Sequence, residues 1–155
     1  MKKMLLSAAF LAAMTSVSAQ KLTYVPYADN GYLMGTYISS DGRYIAGGDA
    51  GGQGFIYDTQ KGEIKYFVSP ENGDETQDAS TEVRAVNPDG TGVGYVGDKL
   101  CKFDFNTGEY TDLGVNEPAL ANTMSTDGSV IGGFAWDENT YMQHPIYLKD
   151  GVKYD

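Results

Sequence analysis

The chain has 155 residues, with 11 basic and 21 acidic side chains, 20 glycines, 12 tyrosines, one histidine and one cysteine. One cysteine excludes an internal disulfide framework or a cysteine zinc site, and one histidine excludes a two-histidine metal centre within the chain. The net charge of −10 argues against a phosphate-backbone partner, and 12% aromatic with 21% charged residues describe a packed β-rich domain rather than a disordered chain.

The N-terminus reads as an export signal over residues 1–19. Lys2 and Lys3 precede an apolar run from Met4 to Met14, and Val17-Ser18-Ala19 offers small residues to a signal peptidase, so cleavage is expected after Ala19. The run is shorter than the roughly 20 residues that span a bilayer. Gln20 follows the cut where a bacterial lipoprotein would have cysteine. A secreted, periplasmic or cell-surface location is therefore expected, with no membrane insertion after cleavage. Losing two lysines and no acid takes the net charge from −10 to −12. Cys101 lies in an alternating apolar run and reads as a small core residue. Residues 20–34 are expected to be an N-terminal arm whose Leu22–Tyr27 stretch alternates like a strand, with two readings: the outermost strand of the last repeat, joining the two ends of a ring, or a loose arm.

Repetition organises the rest. Asp41-Gly42, Asp89-Gly90 and Asp127-Gly128 mark three equivalent turns, since glycine supplies the positive φ of a tight hairpin. Each is followed by a β-type run: Tyr44 to Gly48, Val93 to Gly97, and Val130 to Gly133. Every run is expected to close on glycine as the chain leaves the sheet. A third strand follows at Phe55–Asp58, Cys101–Phe105 and Pro145–Leu148, then a turn with Gly62, Gly108 or Gly151, then a fourth strand at 64–68, 110–113 and 152–154. Four strands per unit, at a period of about 40 to 50 residues, indicate a β-propeller blade rather than a helical solenoid. The repeats run over about 35–69, 82–114 and 121–155.

The Ser/Asn-x-Asp-Gly turn, the apolar strand with Gly47-Gly48 or Gly132-Gly133, and the aromatic strand with Tyr57-Asp58 or Tyr147 resemble secreted bacterial HAF-type repeats and the kelch blade. The second copy has Val96-Gly97 in place of the double glycine. The resemblance implies an all-β, propeller-like fold. Three blades do not make a ring of the usual four to eight. The expectation is therefore an incomplete propeller over 35–155, an N-terminal fragment completed by further blades of the same chain or by self-association.

In a four-stranded meander the first and third turns share one end. The second turn and the inter-repeat connection share the other, which here carries the long loops 49–53, 69–82, 114–121 and 134–144. Long loops on a rigid scaffold are where binding resides. Trp136 and Tyr141 suggest an apolar platform flanked by Asp137 and His144, and Asp49 is a further ligand-binding candidate on the same end. The opposing reading packs Trp136 between repeats and leaves the acids solvated, because aromatics most often serve burial. Calcium is the only cofactor the acidic loop suggests, yet its spacing matches no calcium loop, and Asp104-x-Asn106-x-Gly108 reads as a hairpin turn. No nucleophile elbow or phosphate-cradling loop is present, and no catalytic residue is assigned. The reading is an exported, non-catalytic binder of an extracellular glycan or protein. The alternatives are a propeller-type hydrolase or lyase completed by further blades, and a cell-envelope scaffold.

Overall fold

The computed structural model describes residues 33–69, 80–137, 139–140 and 142–155. The expected signal peptide, residues 20–32 of the arm, most of the acidic loop, Glu138 and Tyr141 lie outside the described residues. Twelve strands follow in order: β1 (Leu33–Ile38), β2 (Tyr44–Asp49), β3 (Gly54–Asp58), β4 (Glu63–Phe67), β5 (Thr81–Val86), β6 (Thr91–Val96), β7 (Lys99–Asp104), β8 (Glu109–Asp112), β9 (Ala119–Met124), β10 (Val130–Trp136), β11 (Gln143–Lys149) and β12 (Val152–Tyr154). They form three antiparallel four-stranded sheets, each a meander in chain order. No helix occurs among the described residues, and no sheet closes on itself.

The Asp-Gly turns form as expected, with Gly42, Gly90 and Gly128 at φ of 75°, 87° and 72°. Their side chains explain why the tripeptide recurs. Ser39 Oγ donates to Asp41 Oδ1 at 2.6 Å and accepts the Tyr44 N–H at 2.9 Å. Ser125 Oγ repeats both bonds, to Asp127 Oδ1 at 2.6 Å and from the Val130 N–H at 2.9 Å. In the second sheet Asn87 takes the serine's place, and its side-chain amide crosses to the Ser125 carbonyl of the next sheet at 3.1 Å.

The strand glycines correct the sequence reading. Gly47 and Gly133 lie inside β2 and β10 rather than at their ends, and the second sheet's counterpart is Gly94, not Gly97. Each faces a β-bulge in the first strand of its sheet, where the register skips Thr36, Arg84 or Asn122. A β-carbon there would lie 1.9 Å from the Met34 carbonyl oxygen, 1.9 Å from that of Glu82, or 2.0 Å from that of Leu120. The bulge presses one backbone onto the other, so only glycine fits.

Side-chain alternation gives each sheet a front face, directed at the next sheet, and a rear face. β5 lies against β1, β2 and β3, and β9 repeats this against β5, β6 and β7. Tyr44, Ala46, Ile56 and Phe67 on the front of the first sheet pack with Val83, Val86, Val96, Cys101 and Phe103 on the rear of the second. Val93 and Leu100 on the front of the second meet Ala119, Ala121, Ile131, Ala135, Ile146 and Leu148 on the rear of the third. Two apolar layers therefore hold three sheets, and Cys101 belongs to the first of them. Burial pushes its thiol up to about 12, so it stays protonated and unreactive.

Candidate functional site

The hairpins β2–β3, β6–β7 and β10–β11 and both inter-sheet connections gather at one end of the stack. Backbone bonds tie that end together across sheets. The Thr81 N–H donates to the Gly52 carbonyl at 2.7 Å, that of Ala119 to Asp98 at 3.0 Å, and that of Trp136 to Pro118 at 3.0 Å. The last bond fixes the end of β10 against the connection between the second and third sheets.

At this point lies an open cleft of about 410 Å³, lined by Asn116, Glu117, Trp136, Asp137, Asn139, His144, Lys153 and Asp155. Three of the residues singled out in the sequence, Trp136, Asp137 and His144, therefore meet. Asp49 does not join them. It is buried at its own hairpin in the first sheet, where Oδ1 accepts the N–H groups of Gly51 and Gln53 at 2.9 and 2.8 Å. Trp136 is half-buried, and its ring meets Phe134 edge-on with centroids 4.9 Å apart.

Asp137 caps the hairpin that follows it. Its Oδ1 accepts the Asn139 and Thr140 N–H groups, both at 2.8 Å, and these bonds, led by that of Thr140, hold its carboxyl below the ordinary value. Opposite, Lys153 donates to Glu117 and to Asp155, the latter at 2.8 Å. Those bonds lower both carboxyls, while Asp155 first and Glu117 second raise the ammonium. Glu117, His144 and Asp155 also offer ligand atoms within 4.8 Å of one another. A divalent cation bound there would have to displace Lys153 from both carboxylates. With three carboxylates against one ammonium the cleft is acidic, suited to neutral hydroxyl-rich or basic groups rather than to anions.

Sequence reading missed Asn116, Glu117, Asn139, Lys153 and Asp155. Asn116 and Glu117 fall in a loop already assigned to this end, and strand alternation returns the end of a fourth strand here. It missed a second polar group too, on the first strands. Arg84, the bulge residue of β5, donates to Glu82 Oε2 at 2.9 Å and to the bulge residue Asn122 of β9 at 2.9 Å, and stacks over Tyr95 at 5.0 Å. The bulges of the second and third sheets are thus bonded to each other. No protein-family model matches the chain, and a comparison with curated proteins found no match.

Proposed function

We propose that this protein is an exported, non-catalytic binding protein, built as consecutive blades of a β-propeller of the HAF or kelch type, which holds an extracellular glycan or protein at its loop-bearing end. The observation that carries the reading is the convergence of Trp136, Asp137 and His144 with Glu117, Asn139, Lys153 and Asp155 on one open cleft. A half-exposed indole beside carboxylates and amides is the composition that binds sugar rings, with the apolar face of the ring on the aromatic and its hydroxyls on the polar groups. Tyr141, the second aromatic that the sequence suggests for the platform, lies outside the described residues. The repeated sheet order and sheet-to-sheet packing support the blade assignment, and the tripartite N-terminus supports export.

The test is binding of the secreted chain to a panel of neutral, amino and acidic glycans, repeated with Trp136→Ala and Tyr141→Ala. Loss of at least tenfold in affinity for a neutral or amino glycan in Trp136→Ala, roughly 1.4 kcal/mol, supports the reading. Binding unchanged in both variants removes the platform, and a preference for acidic glycans contradicts the charge argument.

A further inference from the structure

Four Asp-Gly pairs occur in the chain, and three of them are held on both sides of the peptide that joins them. At Asp41, Asp89 and Asp127 the side-chain Oδ1 accepts the N–H two residues on, from Arg43 at 3.1 Å, Thr91 at 2.9 Å and Ser129 at 3.1 Å. The glycine's own N–H is engaged as well. Gly42 donates to the Ser39 carbonyl at 2.8 Å, Gly90 to that of Asn87 at 3.0 Å and Gly128 to that of Ser125 at 2.8 Å. The fourth pair, Asp150-Gly151, forms the exposed two-residue turn between β11 and β12. It alone places its aspartate in the left-handed region, with φ of 52° at Asp150 and 78° at Gly151, the pattern of a type I′ hairpin. Among the described residues, neither the Asp150 carboxylate nor the Gly151 N–H has a partner, and a β-carbon on Gly151 would meet nothing within 4 Å.

We propose that Asp150-Gly151 is a site of spontaneous covalent modification, at which the backbone rearranges to isoaspartate and β12 then loses its register on β11. The Gly151 nitrogen attacks the side-chain carbon of the protonated Asp150 carboxyl. A Cγ–N bond forms, a Cγ–O bond breaks, and the departing oxygen leaves as water with the carboxyl proton and the amide proton. Water then opens the succinimide ring. Attack at Cγ restores aspartate, whereas attack at the Asp150 backbone carbonyl leaves Gly151 joined through Cγ, with Cβ now part of the main chain. Ring closure needs rotation about the Asp150 Cα–C bond, which a turn in open space followed by a three-residue strand allows. At the other three turns the same step must first break the bonds of both the carboxylate and the glycine, which slows it by roughly tenfold or more. At Asp41 and Asp127 the bonds from Ser39 and Ser125, followed by those from the Arg43 and Ser129 N–H groups, also hold the carboxyl below its ordinary value and so deplete the protonated, reacting form. The consequence falls on the hairpin, because turn length sets register. Here it pairs Lys149 with Val152, Leu148 with Lys153 and Tyr147 with Tyr154. An added main-chain carbon breaks that match, and Lys153, whose ammonium bonds Glu117 and Asp155, leaves the cleft. The proposal does not depend on what the cleft binds.

The experiment ages the full chain at mildly acidic pH and physiological temperature, then locates isoaspartate by peptide mapping with electron-transfer fragmentation. In the folded chain isoaspartate at Asp150 should accumulate roughly tenfold or more faster than at Asp41, Asp89 or Asp127, and the four rates should converge when the chain is aged in denaturant. Asn30-Gly31 and Asn72-Gly73 register separately, because deamidation changes their mass. A rate at Asp150 no greater than at the other three overturns the proposal. So does an excess that persists unchanged in denaturant, since it would then come from sequence neighbours and not from the fold. Asp150→Gly keeps a Gly-Gly type I′ turn without a carboxyl to react, and serves as the control for the loss of register. Hydrogen exchange in β12 should quicken by roughly tenfold or more in the isoaspartate-containing fraction of the wild type and stay constant as Asp150→Gly ages. Equal exchange in modified and unmodified wild type, or equal quickening in aged Asp150→Gly, also overturns the proposal.

Discussion

A β-carbon on Gly47 would sit 1.9 Å from the Met34 carbonyl oxygen, whereas one on the neighbouring Gly48 meets nothing nearer than 3.5 Å. The two glycines look alike in the sequence and differ only in which faces the bulge. Backbone cannot give way as a flexible side chain can, so Gly47→Ala must part β1 from β2 or flatten the bulge. The expected cost is about 2–3 kcal/mol, as for overpacked cores, and Gly94→Ala and Gly133→Ala should behave alike. Gly48→Ala should change stability by less than about 1 kcal/mol. Urea midpoints of the four variants check this, and equal losses at Gly47 and Gly48 would falsify the bulge argument.

At the scale of the element, the hairpin turns were legible because their chemistry is local. Asp-Gly dictates the positive φ, and the serine two positions before the aspartate closes the ring of bonds. The bulges were not legible, because each shifts the side-chain alternation by one residue inside a strand of only six, so that Val83 and Val86, three residues apart, share a face. The second repeat was misread for a related reason. Nothing in its turn corresponds to Arg43, so counting from Asp89-Gly90 places the strand one residue late, and the double-glycine position then falls on Val96-Gly97 instead of reaching back to Gly94. The candidate site divides the same way: Trp136, Asp137 and His144 follow from one long hairpin. Lys153 and Asp155 come from a different strand, and only the folded sheet brings them beside Glu117. The turns make an acid-stability prediction. Hydrogen bonds, first from Ser125 and then from the Ser129 N–H and hydroxyl, lower the Asp127 pKa to about 2 from the ordinary 3.8. The unfolded chain therefore binds the proton more readily. The turn's contribution is complete above pH 3.8 and is lost as pH falls through about 2. Asp41 is lowered by the equivalent Ser39 bond, so the first turn follows the same direction. Asp127→Asn should be less stable than wild type at pH 5, and the gap should narrow towards pH 2. A constant gap in denaturant melts across that range would exclude the linkage.

For the whole molecule, the second sheet is the member whose two faces both lie in an apolar layer with another sheet. Phe103 on its rear face meets Phe67 at 4.9 Å and Tyr110 at 5.9 Å, while Leu100 on its front face belongs to the layer shared with the third sheet. Stability in such a stack is approximately the sum of each unit's own stability and its nearest-neighbour interfaces, so a lesion spreads according to which interface it breaks. Both residues are fully buried, and truncation leaves a cavity costing about 3–5 kcal/mol for Phe103→Ala and 2–5 kcal/mol for Leu100→Ala. Phe103→Ala should speed exchange in β2, β3 and β4 together with the second sheet and leave the third sheet's contacts to the second in place. Leu100→Ala should do the reverse, loosening β9, β10 and β11 first. Because the candidate cleft is pinned to the second sheet through the connection carrying Glu117, Leu100→Ala should also weaken any ligand bound there, and Phe103→Ala should spare it at temperatures where the chain stays folded. Site-resolved hydrogen exchange separates the two patterns. Identical, uniform acceleration in both variants would mean that the three sheets unfold as one unit and that the interfaces do not act as separable joints.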